Sequence, residues 1–333
     1  MNDQNNNEIG SNRAQLLPRY PANEIRIAVP WGHIAAKEYG NPSGLPVLAI
    51  HGWLDNCGSF EPLIPYLMQA HNLHIVSIDE PGCGLSSHKP VGADYGRWST
   101  VKEMKRVIDH MGWRTVSLLG HSQGAHYSLL FAAIYPKMVE RVISLDMVKP
   151  MTFFGRLVPE YFANLISSHL RYDEKFMIDA TLESSAVVYE EAAAVKKLIE
   201  SSAYSLNEQT ARIMMERGSK ILPNGLTFSR DIRLRLRQID PPPTNEFMLK
   251  LMANVKCDLL VVASQFVSNV ESKRIVSAYV EVYKTNCRLF RYVEVDGTHH
   301  VHMNDPATVA PIVNSFIEES LNAGPLTRIQ SKL

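Results

Sequence analysis

LLGHSQGAHY, Leu118–Tyr127, carries a serine between two glycines in the order Gly120-His121-Ser122-Gln123-Gly124. The residues on either side decide what the pentapeptide means. TVSLL (115–119) is a short, nearly continuous apolar run of the kind buried on both faces of a sheet. GAHYSLLFAAIY (124–135) then reads as a helix stopped by Pro136. A serine at such a strand-to-helix turn is pushed out of the backbone, and small flanking residues leave room for the tight turn and close helix packing. The helix N-terminus supplies free N–H groups and the positive end of its dipole, where an oxyanion would form.

Working outward, the same short apolar runs recur at LPVLAIHG (45–52), LHIVSIDE (73–80), RVISLD (141–146), CDLLVVAS (257–264) and CRLFRYVEV (287–295). Helical patterns lie near 60–70, 98–111, 123–135 and 306–321. This alternation predicts an α/β protein with a mostly parallel, doubly wound sheet. EIRIAVP (24–30) and HIAAKEYG (33–40) precede it as a hairpin with Trp31-Gly32 at the turn. From 150 to 250 the rhythm breaks: SSAVVYEEAAAVKKLIESS and SLNEQTARIMMERG are helical, and no buried-strand run is present until after PPPTNE (241–246). The expected organisation is a polar tail over 1–22, a core over 23–149 and 251–325, and a helical cap over 150–250 inserted between two strands. A second tail covers 326–333.

Composition narrows the function classes. The 333 residues are 45% hydrophobic and 20% charged, which fits a globular chain with a large core rather than disorder. Lys+Arg and Asp+Glu are both 34, so no global field draws in nucleic acid or an anionic membrane. No apolar stretch is long enough to suggest a transmembrane segment, and MNDQNNNEIGSNRAQ at the start lacks the apolar region of a secretory signal. Cys57, Cys83, Cys257 and Cys287 are scattered without a C-x-x-C pair and read as reduced thiols of an intracellular protein. Ser331-Lys332-Leu333 ends the chain as a peroxisomal address read by an import receptor; the alternative location is the cytoplasm.

A serine at its ordinary pKa needs a base within hydrogen-bond reach. His299 is the best placed of twelve histidines: VEVDGTHHVHMNDP (293–306) sets it after the last strand run, behind Gly297 and before the last helix. Loops at the carboxyl ends of parallel strands open on one crevice, so Ser122 and His299 can meet there. His300 is the local rival. His300-x-His302 also resembles a metal pair, but no third ligand stands at a recognisable spacing, so no metal is expected and His302 is assigned to orienting the loop. For the acid that holds the histidine, VVASQFVSNVES (261–272) offers no carboxylate before Glu271, whereas RVISLDMVKP puts Asp146 at the tip of its strand. Asp146 is therefore the expected acid. HGWLDNCGSF (51–60) follows a strand, with Gly52 for the turn, so the N–H groups of Trp53 and Gln123 are the expected oxyanion donors. DEPGCGLS (79–86) lacks the complete glycine pattern of a phosphate loop and reads as a tight turn, and no cofactor is expected. FFGRLVPEYFANLI (153–166) suits either the core of the cap or a wall for an apolar substrate.

VPWGHIAAKEYG, HGWLDNCGSFEPLIPYL, GLSSH, LLGHSQG and HHVHMNDP together resemble the α/β-hydrolase fold, in its epoxide-hydrolase and haloalkane-dehalogenase-like branch. With ERGSKILPNGLTFSRDIRL in the insert, the likeness is closer to the animal serine hydrolase-like proteins and covers about residues 24–320. Epoxide hydrolases and dehalogenases carry an aspartate nucleophile where Ser122 stands, so the resemblance implies acyl rather than alkyl chemistry. Their acid after the lid is missing here, but some dehalogenases place it before the lid, at the position of Asp146. The expected activity is hydrolysis of a small carboxylic-ester or related acyl substrate. The rival expectation is a catalytically inactive protein that keeps the pocket to bind a ligand or partner.

Overall fold

The computed structural model describes residues 19–152, 159–178, 187–236, 243–270 and 272–324. Ten strands are formed: β1 (Asn23–Val29), β2 (Gly32–Gly40), β3 (Leu45–Ile50), β4 (Leu73–Ile78), β5 (Val116–His121), β6 (Val139–Leu145), β7 (Ser219–Leu222), β8 (Gly225–Phe228), β9 (Asp258–Ala263) and β10 (Phe290–Glu294). Eight of them make one sheet in the order β1-β2-β4-β3-β5-β6-β9-β10. The pairings β1/β2 and β2/β4 are antiparallel and the other five are parallel. The sheet is the mostly parallel one expected from the apolar runs.

β3, β4, β5 and β9 are buried almost throughout, and the period-2 alternation of strand side chains sorts their residues between two layers. Leu48, Ile50, Val76, Ile78 and Leu118 point to one face, where Val107, Leu130, Met252 and Tyr283 cover them from helices Arg97–His110, Gln123–Ile134, Asn245–Met252 and Lys273–Asn286. Val47, Ala49, Ile75, Leu119 and Val262 point to the other, against Leu67 of Ile64–Ala70 and Phe316 of Pro306–Asn322. Helix Gln123–Ile134 is buried on nearly all sides, which is why its sequence is apolar all round rather than amphipathic.

Two local expectations change. In the first hairpin Val29 pairs with Gly32, so Pro30-Trp31 occupies the turn rather than Trp31-Gly32. The segment between β6 and β9 is not purely helical, because β7 and β8 pair antiparallel with Pro223-Asn224 between Leu222 and Gly225. Two four-residue strands are too short to show an alternation, and the turn signal Pro-Asn-Gly was their only trace. Helices Glu191–Ser201 and Glu208–Gly218 of this segment share a small core of Ala194, Leu198, Ala211 and Met214. Met303, from the short helix Val301–Asn304 that follows β10, is buried in that same core, so the insert is docked on the segment carrying His299.

The four cysteines are free thiols. Among the described residues no helix is long and apolar enough to cross a membrane. Ser331, Lys332 and Leu333, the acid rival Glu271, and residues 153–158 of the aromatic stretch lie outside the described residues.

Candidate active site

Ser122 follows the last residue of β5 and caps helix Gln123–Ile134 with φ 51° and ψ −114°, a conformation that costs a non-glycine residue energy. Surrounding contacts impose it. The Ser122 N–H donates to the Leu145 carbonyl at 2.9 Å, and a Cβ on Gly124 would stand 2.0 Å from the Ile50 carbonyl oxygen. A Cβ on Gly120 would come within 2.5 Å of the Ala125 amide nitrogen. The two glycines are therefore there for close backbone approach, which lets the turn press against the end of β3 and leaves the hydroxyl pointing outward.

The segments after β5, β6 and β10 meet at one end of the sheet. His299 Nε2 lies 2.8 Å from Ser122 Oγ, and His299 Nδ1 lies 2.5 Å from Asp146 Oδ2. Asp146 is the first residue past β6, buried, and held at φ 57°, a left-handed conformation that Asp tolerates better than most residues. Its N–H donates to the Val262 carbonyl at 2.7 Å and its Oδ1 accepts the Ser264 N–H at 2.6 Å. The segment after β9, searched in the sequence for an acid, thus supplies a donor to the acid of the neighbouring strand. Among the described residues Asp146 is the carboxylate on His299. The Phe266 ring lies against His299 with centroids 4.1 Å apart, a contact that no sequence pattern announced.

The N–H groups of Trp53 and Gln123 have no acceptor among the described residues. The Trp53 ring does not pack in the core. It is 54% exposed, and its Nε1–H donates to the Leu234 carbonyl of the insert at 2.9 Å. Gly52 is required for space: a Cβ there would sit 2.7 Å from Asp55 Oδ2 and 2.8 Å from His121 Nδ1.

These geometries place the chain among known proteins. It matches the α/β-hydrolase fold family over residues 46–194. It is 35% identical over 304 residues to the human serine hydrolase-like protein 2, covering 89% of this chain and 94% of the relative. It is 32% identical over 310 residues to the serine hydrolase-like protein of Danio rerio, covering 90% of each. The chain belongs to the serine hydrolase-like family. A crystal structure of a hypothetical protein from Pseudomonas aeruginosa is similar with a TM-score of 0.75 and 31% identity, over 89% of this chain and 99% of that one. The eight-stranded sheet with its flanking helices is the α/β-hydrolase fold, and family and fold together make the chain a hydrolase by kind.

Within this member of the family, the loop of His299 is held by residues other than the expected one. Neither ring nitrogen of the buried His302 has a hydrogen-bond partner among the described residues, so His302 does not orient the loop through one; its ring fills space against Phe60 and His121. The tethers are Thr298 Oγ1 and Asn304 Nδ2, both donating to the Ser205 carbonyl at 2.7 Å, and His121 Nε2, which donates to the His299 carbonyl at 2.9 Å. His121 stands inside the pentapeptide and Asp55 inside HGWLDN, but sequence reasoning gave neither a role. The structure sets them side by side with His300, whose ring nitrogens face Asp55 and Ser205. Burial, with His300 and His299 nearby and against the pull of Asp55, moves His121 down to about 4, so its ring is neutral near pH 7.

The turn after β4 is organised by a buried carboxylate. Asp79 occupies it, accepting from the Leu85 N–H at 2.8 Å, from the Cys57 N–H at 2.9 Å and from Arg217 Nε at 2.6 Å. His51 accepts the Glu80 N–H at Nε2 and donates from Nδ1 to the Gly52 carbonyl, linking this turn to the loop of Trp53.

Proposed function

We propose that the chain is a serine hydrolase of carboxylic esters or related acyl substrates, working through an acyl-enzyme. One observation carries the reading: Ser122 Oγ, His299 and Asp146 stand in a continuous hydrogen-bonded line, at 2.8 Å and 2.5 Å, on a strained strand-to-helix turn. His299 Nδ1 carries its proton toward the Asp146 carboxylate, which leaves Nε2 as a lone pair facing the Ser122 hydroxyl. In attack on an acyl carbon, Oγ forms the new bond while its proton passes to Nε2. The resulting imidazolium is stabilised by buried Asp146, and the carbonyl oxygen takes up negative charge against the N–H groups of Trp53 and Gln123. His299 then gives its proton to the departing alcohol, and a water repeats the sequence to release the acid.

The rival, an inactive binding protein, rested on an acid displaced from its usual place. The contact between Asp146 and His299 favours the hydrolase reading over it. A fluorophosphonate probe, followed by mapping of the modified peptide, tests the proposal. Ser122 should be the labelled residue, and Ser122→Ala should lose all labelling while melting at the parent temperature; a mutant labelled as fast as the parent refutes it.

A further inference from the structure

We propose that Asp55, His121 and His300 form a binding site for a late first-row divalent metal ion, zinc in kind, behind the Ser122–His299 pair. Hydrogen-bond chemistry fixes which nitrogen of each ring carries its proton. His121 Nε2 faces the His299 carbonyl at 2.9 Å, and a carbonyl can only accept, so Nε2 is protonated and Nδ1 of the neutral ring is a lone pair. Ser205 Oγ lies 2.7 Å from both the Ser202 carbonyl and His300 Nδ1; with its proton on the carbonyl, it accepts from His300 Nδ1. His300 Nδ1 then carries a proton, and its Nε2 faces Asp55.

Both ring nitrogens face the same carboxylate oxygen. His121 Nδ1 lies 3.4 Å and His300 Nε2 lies 3.3 Å from Asp55 Oδ2, and the three atoms are all within 4.8 Å of one another. A buried carboxylate at this convergence calls for a cation beside it, which a divalent ion between the three side chains would supply. The two separations from Asp55 Oδ2 also suit one. Two ligands on a tetrahedral ion at about 2.0–2.1 Å stand roughly 3.3–3.4 Å apart, longer than a charged N–H···O⁻ bond of about 2.8 Å.

Three further features agree. All three side chains are buried. His121 Nδ1 has no hydrogen-bond partner among the described residues. Gly52 packs its backbone closely on the cluster, since a Cβ there would stand 2.7 Å from Asp55 Oδ2 and 2.8 Å from His121 Nδ1. Two imidazoles and one carboxylate are the donor set of zinc and its neighbours rather than of calcium or magnesium. Each ring also gives its outer N–H to an oxygen, which is how metal-bound histidines are oriented. An ion here would fasten together the loop of Trp53, the turn of Ser122 and the loop of His299. Its binding does not depend on the proposed ester chemistry.

The test is uptake of Zn²⁺ by the chelator-treated full chain, measured by equilibrium dialysis with atomic emission. One equivalent should bind, Co²⁺ should give visible bands of a nitrogen- and oxygen-ligated ion, and the melting temperature should rise with Zn²⁺ concentration. His300→Gln and Asp55→Asn should each weaken binding by more than about 100-fold, beyond the roughly 10–100-fold typical of an outer-shell change. Ser122→Ala should bind as the parent does, which separates failure of the site from failure of the hydrolase reading. If Asp55→Asn does not fold, His300→Gln and the cobalt spectrum of the parent decide. No uptake by the parent, or equal uptake by a folded Asp55→Asn or His300→Gln chain, overturns the proposal and leaves a proton between Asp55 and His300 instead.

Discussion

Replacing Asp146 by asparagine is the sharpest perturbation of the proposed mechanism, because the structure dictates how the amide must sit. Asp146 has a positive φ, which asparagine tolerates, and its side chain is buried, so an isosteric change leaves backbone and packing intact. Oδ1 accepts the Ser264 N–H at 2.6 Å. An amide must therefore turn its oxygen to Ser264 and its NH₂ to His299. Nδ1 of His299 then becomes the acceptor, and the ring proton moves to Nε2, which faces Ser122 at 2.8 Å. A protonated Nε2 cannot take the hydroxyl proton. The corresponding change in a serine protease costs about 10⁴-fold in kcat, or about 5.5 kcal/mol of transition-state stabilisation. The expected result is a loss of three to four decades (about 10³–10⁴-fold) in kcat on an activated p-nitrophenyl ester, and a similar slowing of fluorophosphonate labelling. The melting temperature should stay near that of the parent. Turnover within tenfold of the parent would show that His299 does not depend on Asp146, and the assignment of the acid would fall.

Other perturbations test other parts of the structure. Gly124→Ala drives a Cβ to 2.0 Å from the Ile50 carbonyl, a backbone atom that cannot swing away. It should cost about 3 kcal/mol or more in a denaturant melt, the top of the range for overpacking, and an unchanged midpoint would refute the close approach. Burial moves the Glu80 carboxyl up to about 7, opposed in part by His51 and Thr100, so the fold favours its neutral form. The stability this gives is complete below the ordinary carboxylate pKa and is lost as pH rises through about 7, a fall of about 3 kcal/mol between roughly pH 4.5 and 8. Glu80→Gln should flatten that slope in urea melts taken across the range; the same slope in the variant refutes the assignment. We also propose that Ser331-Lys332-Leu333 directs the chain to peroxisomes, so an N-terminal fluorescent fusion should be punctate and its three-residue truncation diffuse. Diffuse fluorescence of the full fusion in import-competent cells rules that out.

Much of the site could be read in the sequence because its signals are local. An apolar run, a glycine-flanked serine and an apolar helix fall within twenty consecutive residues, so β5, the turn and the helix Gln123–Ile134 are specified together. His299 is legible for a similar reason, since a strand run, Gly297 and a helix start bracket it. Asp146 is legible from the logic of parallel strands, whose carboxyl ends share one edge. What the sequence could not determine depends on which distant atoms meet. Asp55 and His300 are 245 positions apart, and no period or spacing ties them to His121. Packing of two loops against the turn of Ser122 brings them together. Ser264 and Phe266 lie in a segment scanned for a carboxylate, and their use as a backbone donor and a ring wall exists only once β9 lies beside β6. Local pattern writes the elements and their order, because backbone hydrogen bonding and side-chain period act over a few residues. The charge, tautomer and contacts of a buried group are set by whatever neighbours the folded chain delivers, and only the tertiary structure names them.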